Sequence, residues 1–331
     1  MKDGPVPTQA DTSPLVSIVI PAYNVAPFIV KALESAFAQT VKDFEVIVVN
    51  DGSADSLELE TAIAPFRGRI QYLVQENRGP SAARNAGIRH ARGEFVAFLD
   101  ADDSLLPHFL EEHLSRARLD PGADVFYGDL LIFGDVPQAG RTVMEFNPSS
   151  GPVDFASLVT QRCNPQLCSM VRRRVLAEHG LFDETYRRSE DHDLWLRMAH
   201  AGVRFNYTER VVARYCMRRE GLSADTVLML QGNVDVLEKC LRTMTLRDDE
   251  RTLVRDRITH LSAMQRLHEG KRAFVSGDHR RARAALAESN NLRRSWKVTV
   301  VLAALALAPS LVVRLYGPCA RLLGRDNPVR Q

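Results

Sequence analysis

Apolar residues fall along this chain in two rhythms. Short, almost continuous β-branched runs at 16–20 (Val-Ser-Ile-Val-Ile), 44–49, 70–74 and 95–99 predict strands buried on both faces. Pro21 ends the first run. Between the runs, Phe28, Ile29, Ala32, Leu33 and Phe37 recur with helical spacing behind Asn24, the expected N-cap, and a second helix is predicted over 81–90. Strand and helix alternate, which is the α/β signature of a mostly parallel sheet. Ligand chemistry is then expected at the strand carboxyl ends, after Ile20, Val49 and Leu99.

Past Pro107 the rhythm loosens into a helix at 109–117, a strand at 125–127 and a Gly- and Pro-bearing span at 134–152. Helical periodicity returns at 170–179 and 189–201, and a last strand is expected at 211–216. After Ser223 the pattern is helical throughout, including one tetratricopeptide-like pair at 269–288 that breaks at Gly277-Asp278. The stretch 298–313 is the most hydrophobic, with Arg293, Arg294, Trp296 and Lys297 before it and Arg314 after it. Only 16 residues separate Lys297 from Arg314, and Pro309 interrupts them. That is short of the roughly 20 needed to span a bilayer. Two readings stay open for 296–314: a helix lying in a membrane surface, or a helix packed on the body. Residues 1–14 are polar and proline-bearing without an apolar segment, so a disordered leader rather than a signal peptide is expected.

The 331 residues carry 43 Lys+Arg against 41 Asp+Glu, and that balance hides a division. From Lys271 onward 12 bases face 3 acids, a net of +9, while the rest of the chain carries −7. An acidic body with a basic tail points to an anionic partner such as membrane lipid. The five cysteines, Cys163, Cys168, Cys216, Cys240 and Cys319, form no C-x-x-C pair, so neither a disulfide framework nor a zinc ribbon is indicated and a cytoplasmic location is expected.

Three acidic groups carry candidate chemistry. Asp100-Ala101-Asp102-Asp103 follows a buried strand, where carboxylates can hold Mg²⁺ or Mn²⁺ or merely solvate the strand end. Asp51-Gly52-Ser53 can accept from a base or ribose, or be an ordinary turn. Glu190-Asp191-His192-Asp193 opens a helix, as dipole capping or as the seat of a general base. Arg84 can face a phosphate or pair with a nearby Asp. No G-x-G-x-x-G, Walker A or G-x-S-x-G sequence is present, and no nucleic-acid-binding module is matched.

Taken in order, VSIVIPAYN (16–24), VVNDGS (48–53), NRGPSAARNAG (77–87), FLDADD (98–103), GLFDE (180–184) and SEDHDLWLR (189–197) resemble family 2 glycosyltransferases with the GT-A fold, over about 15–225. The resemblance implies a nucleotide-binding half at 15–105, an acceptor half at 106–225 and a helical C-terminal region at 226–331. It implies that Pro21, Tyr23 and Asp51 hold the nucleoside, with Arg84 near the base or diphosphate and Asp100 near the ribose. Asp102 would ligate a divalent metal, Mn²⁺ or Mg²⁺, and Asp191 would be the catalytic base, with Glu190 and Trp195 by the acceptor. Two positions depart from many relatives. Asn50 stands where an Asp is common, and Arg218 stands where a His is common, which makes Arg218 a candidate diphosphate clamp.

The expected activity is inverting transfer of a sugar from a nucleotide-sugar donor, a UDP-sugar foremost, to a glycan or lipid-linked acceptor. A peripheral contact with the inner face of the plasma membrane is expected, and no nucleic-acid partner. The alternatives are a non-catalytic sugar-nucleotide-binding scaffold of the same fold and a nucleotidyltransferase. The latter wants a Gly- and Arg-rich loop where Pro21-Ala22-Tyr23-Asn24 stands.

Overall fold

The structure, a computed structural model, describes residues 13–218 and 224–307. The expected leader up to 12, Cys319 and the part of the apolar segment that contains Pro309 and Arg314 lie outside the described residues.

The chain begins β1 (Val16–Ala22), α1 (Ala26–Phe37), β2 (Phe44–Asp51), α2 (Ser56–Ile63), β3 (Gln71–Gln75), α3 (Pro80–His90) and β4 (Phe95–Phe98). Next come β5 (Ser104–Leu105), α4 (Phe109–Leu119), β6 (Val125–Phe133), α5 (Phe155–Val159), β7 (Ser169–Arg172), α6 (Arg173–His179), α7 (Glu190–His200) and β8 (Phe205–Cys216). Four helices follow: α8 (Thr226–Thr243), α9 (Asp248–Val275), α10 (His279–Leu292) and α11 (Trp296–Leu307).

One eight-stranded sheet runs in the order β3-β2-β1-β4-β7-β6-β8-β5. The expected parallel arrangement holds for its first four strands. Beyond them the sheet is mixed, because β7 is antiparallel to both β4 and β6. The period-2 alternation of strand side chains divides each buried run between two cores. Ile18, Ile20, Val46 and Val48 pack with Ile29 and Leu33 of α1, Leu59 of α2 and Phe109 of α4. Val19, Ile47 and Val49 pack on the other face with Ala83 and Ile88 of α3, Leu194 and Leu196 of α7, Leu230 and Leu237 of α8, and Val254 and Leu261 of α9. This second core runs across residue 225 without a break. Gly87 lets α3 lie directly on β1, since a Cβ there would stand 2.4 Å from Val19 Cγ1.

Four expectations are corrected. β1 continues through Pro21 to Ala22. Asn24 does not cap α1; it sits at φ 54° and accepts from the Ala54 amide, while Asp55 Oδ2 accepts from the Ala26 amide at 2.9 Å. The segment expected as helix from 170 opens as strand β7, because its first residues complete the sheet between β4 and β6. β6 and β8 are also longer than expected, pairing from Val125–Phe205 to Phe133–Cys216.

One face of α11 packs on the body. Val298, Val301, Leu302 and Leu305 pack with Leu286 of α10 and with Leu267 and Phe274 of α9. Trp296, Val300 and Leu307 stand 75%, 58% and 86% exposed. No helix among the described residues is long and apolar enough to cross a membrane.

Candidate active site

The first two strand ends form one braced edge. Gly52, at φ +67°, makes a turn where a Cβ would come within 2.7 Å of the Asn77 amide nitrogen. Asp51 is buried and fully engaged: Oδ1 accepts from Gln75 Nε2 (2.7 Å) and the Arg78 amide (2.9 Å), and Oδ2 from the Gly79 amide (2.8 Å). It therefore shapes the 77–79 loop that leads into α3. Asn50 does comparable work beside it, donating to Ser56 Oγ and Tyr72 OH and accepting from the Ser53 amide. Tyr23 projects half-exposed from the same edge, just past Pro21.

Arg84 turns inward. It is 3% exposed and donates from Nη2 to Asp100 Oδ1 (2.7 Å) and from Nη1 to Glu190 Oε1 (2.6 Å). Burial works against its charge, but Asp100 and Glu190 outweigh that and hold Arg84 above the ordinary arginine range. One guanidinium of α3 thus joins the loop after β4, 16 residues on, to the first turn of α7, 106 residues on. Of the two readings open for Arg84, pairing with a nearby Asp is the contact present here, and both of its Nη groups are engaged by carboxylates.

Asp102 receives the other arginine of the site. Arg218 donates to Asp102 Oδ2 from Nη2 (2.6 Å) and Nε (3.1 Å), with its guanidinium 4.6 Å from the centre of the Phe28 ring. Burial, then the charge of Asp100, push the Asp102 carboxyl up, while Arg218 opposes them. Asp103 behind it is buried, accepts from the Cys216 amide at 2.7 Å and from the Cys168 thiol, and is pushed well up by burial. That tie fixes the end of β8, and with it Arg218, against the acidic loop.

Among the described residues no group of three or more His, Cys, Asp or Glu side chains is arranged to hold a metal ion. The donor set nonetheless suits a hard divalent cation. Asp100 uses Oδ1 for Arg84 and Asp102 uses Oδ2 for Arg218. Their second oxygens are bonded to no other side chain among the described residues. Mg²⁺ commonly takes one or two carboxylates and completes its shell with water and substrate phosphate.

Asp191 is the second residue of α7, following Ser189 at φ 57° and Glu190, which holds Arg84. Burial, then the negative charge of Glu190, push its carboxyl up to about 7. It borders a cavity of about 170 Å³ whose wall includes Trp195, His192, Gln161, Met217, Met229 and Asn233. The indole Nε1 of Trp195 and the hydroxyl of Ser189 are buried there without a hydrogen-bond partner among the described residues. His192, held below its ordinary range by burial, meets Asn233 Oδ1 at 3.2 Å. The structure thus brings Arg84, Asp100, Glu190 and Asp191 into one chain of contacts and sets Asp102 with Arg218 beside Asp100. Asp51 belongs to the braced loop edge instead.

Several residues that hold this arrangement carry no signal of their own. Asn85 pairs reciprocally with the Phe182 backbone and donates to Glu184. Arg197 binds Asp193 and the carbonyls of His179 and Leu181. Lys239 of α8 bridges Asp183 (2.7 Å) and the fully buried Asp193 (2.6 Å). These contacts lock 180–184, α3, α7 and α8 together. Asn85, Arg197 and the two aspartates lie in the quoted sequence blocks, whereas Lys239 and Asn233 lie outside them.

Comparison with known proteins agrees with this architecture. Residues 17–180 match the model of Glycosyl transferase family 2. An uncharacterized glycosyltransferase of Rickettsia felis is 31% identical over 209 residues, which cover 61% of this chain and 34% of that protein. The succinoglycan biosynthesis protein ExoU of Rhizobium meliloti is 34% identical over 205 residues, 57% of this chain and 58% of ExoU. The chain thus spans between about a third and three fifths of these two relatives' length. In fold it is similar to S. aureus TarS in complex with UDP-GlcNAc (TM-score 0.59, 18% identity, 95% of this chain and 90% of that one). It is also similar to the mannosyltransferase PcManGT of Pyrobaculum calidifontis in complex with GDP-Man and Mn²⁺ (TM-score 0.58, 20% identity, 95% and 86%). By this match, the segment 17–180 of the chain belongs to glycosyl transferase family 2.

Proposed function

We propose that the chain is an inverting glycosyltransferase that moves a sugar from a nucleoside-diphosphate donor, a UDP-sugar foremost, to a hydroxyl of a glycan or lipid-linked acceptor in polysaccharide synthesis. The observation that carries this reading is Asp191, a carboxyl pushed up to about 7 at the mouth of a cavity and joined through Glu190 and Arg84 to the acidic loop. A base with that affinity for protons is matched to removing one from an attacking hydroxyl at neutral pH.

In this reading residues 15–105 hold the donor and 106–225 the acceptor, with the helical region from 226 supplying Met229 and Asn233 to the acceptor wall. Pro21, Tyr23 and the Asp51-braced loop edge the nucleoside, and Asp100 lies by the ribose. Arg84 acts as a positioning residue, setting Asp100 against Glu190. Glu190 and Trp195 border the acceptor, and Trp195 Nε1 and Ser189 Oγ are free to bond hydroxyls of a bound sugar. Asp100 and Asp102 would hold a divalent cation that neutralises charge on the departing diphosphate. Arg218, freed from Asp102, is placed to clamp the same diphosphate.

Calorimetry with UDP, GDP, dTDP and CDP, with and without Mn²⁺, tests the donor site. One nucleotide should bind with metal, lose that dependence in Asp102→Ala, and weaken about tenfold in Arg218→Met. A scaffold of the same fold would bind donor but show no turnover for Asp191→Asn to abolish. Binding of none of the four would sink the donor reading.

A further inference from the structure

Where α9 meets the end of α10, basic side chains gather with no acid paired to them among the described residues. Arg257 and His260 lie one turn apart on α9, and Arg293 closes α10 against them, with Arg293 Nη1 on His260 Nδ1. Burial, then Arg293, hold Arg257 down to about 10. Burial, then Arg257 and Arg293, lower His260. No carboxylate among the described residues forms an ion pair with Arg257, His260 or Arg293, nor with Arg294 and Lys297 that follow. Arg257 is half-buried, and a cation withdrawn from water without a charged partner is costly. With the exposed Arg293 beside it donating to the His260 ring, Arg257 is therefore open to an anion from outside the chain.

The position of the trio says which anion. Arg257 Nη2 donates to Gln161 Oε1, and Gln161 lines the same cavity as Asp191. Arg257 Nε is buried there with no hydrogen-bond partner among the described residues. On the solvent side α11 begins at once, with Trp296 and Val300 exposed beside Arg294 and Lys297. Exposed Trp and aliphatic side chains among bases are the composition of a helix lying in a membrane surface. Two guanidinium forks and an imidazole present the donors that a phosphate takes.

We propose that Arg257, His260 and Arg293 bind the phosphate of a lipid-anchored acceptor, whose hydroxyl reaches Asp191 while its hydrocarbon enters a membrane on which α11 rests. This proposal rests on the glycosyltransferase reading of the cavity and names the chemistry of its acceptor.

The test uses the full chain and flotation with phosphatidylcholine vesicles. One set is doped with a polyprenyl diphosphate and the other with phosphatidylglycerol at matched charge. Binding to the first should be tighter by about tenfold or more, and excess inorganic pyrophosphate should release the protein. The Arg257→Gln, Arg293→Gln double variant should fall to the phosphatidylglycerol level while keeping its UDP affinity and its circular-dichroism melt, which report an intact fold. Equal binding to both vesicles, or an unchanged double variant, would overturn the proposal. Calorimetric binding of free pyrophosphate without any vesicle preference would overturn the lipid anchor and assign the site to a soluble phosphate. Vesicle discrimination in a protein that binds no nucleotide would uphold the anion site and remove the glycosyltransferase reading instead.

Discussion

Arg84 and Arg257 are both arginines drawn out of water, and the protein treats them differently. Arg84 lies between two carboxylates and is held above its ordinary range; Arg257 has a neutral amide for a partner, another arginine nearby, and is held below it. The Arg84 cluster closes its charges internally, as Lys239 does again between Asp183 and Asp193. The joint at α10 and α11 leaves its charges open. A closed charge reports how the chain holds itself together, and an open one reports what it is built to meet.

The largest effect should come from opening the closed end. Arg84→Met strands Asp100 and Glu190 and should cost about 3–5 kcal/mol of stability by urea titration, as breaking a buried ion pair does. Adding Glu190→Gln should recover part of that in a double-mutant cycle. A loss below about 1 kcal/mol, the scale of an exposed pair, would erase the distinction between the two ends.

Asp191→Asn comes next, lowering turnover by about 10²–10⁴-fold with donor affinity retained. The wild-type kcat should rise with pH through about 7, because the protonated carboxyl cannot accept a proton. Stability should move the other way. The folded state holds this proton more tightly than the unfolded chain, so the contribution of Asp191 is present at low pH and lost as pH rises through about 7. Asp191→Asn should therefore melt above wild type at pH 8, with the gap closing toward pH 4. A gap that is the same at both would mean that Asp191 is not held up by its surroundings.

The smallest effect sharpens the contrast from the open end. Arg293→Gln removes one of two guanidinium charges and should leave stability unchanged or raise it by about 0.5 kcal/mol. A loss comparable to that of Arg84→Met would mean that the chain balances Arg293 after all.

Much of the four-stranded parallel part of the sheet could be read directly, because strands buried on both faces advertise themselves as apolar runs and their carboxyl ends carry the acidic motifs. β7 was illegible, since four residues joined to a helix show no period of their own. Asn24 was the natural cap by position, yet Asp55 does that work from a loop that only the β1–β2 pairing brings near. The same limit applies to the site. Aspartates announce possible chemistry, but which of them is saturated, as Asp51 is, and which borders a cavity, as Asp191 does, depends on partners across the fold. The anion cluster was visible only as a basic tail; that Arg257, outside the tail, joins it is a product of α9 packing against α10.

The apolar core that runs across residue 225 also orders events during synthesis. Val19, Ile47 and Phe98 of the early strands share one cluster with Leu230, Val254 and Leu261. A ribosome delivers the sheet first, so the part of this core that α3 and α7 do not cover remains greasy until α8 and α9 emerge. The nascent chain therefore needs shielding through that interval, and the core of the sheet is complete only once the helices that will carry the anion cluster have begun to leave the exit tunnel.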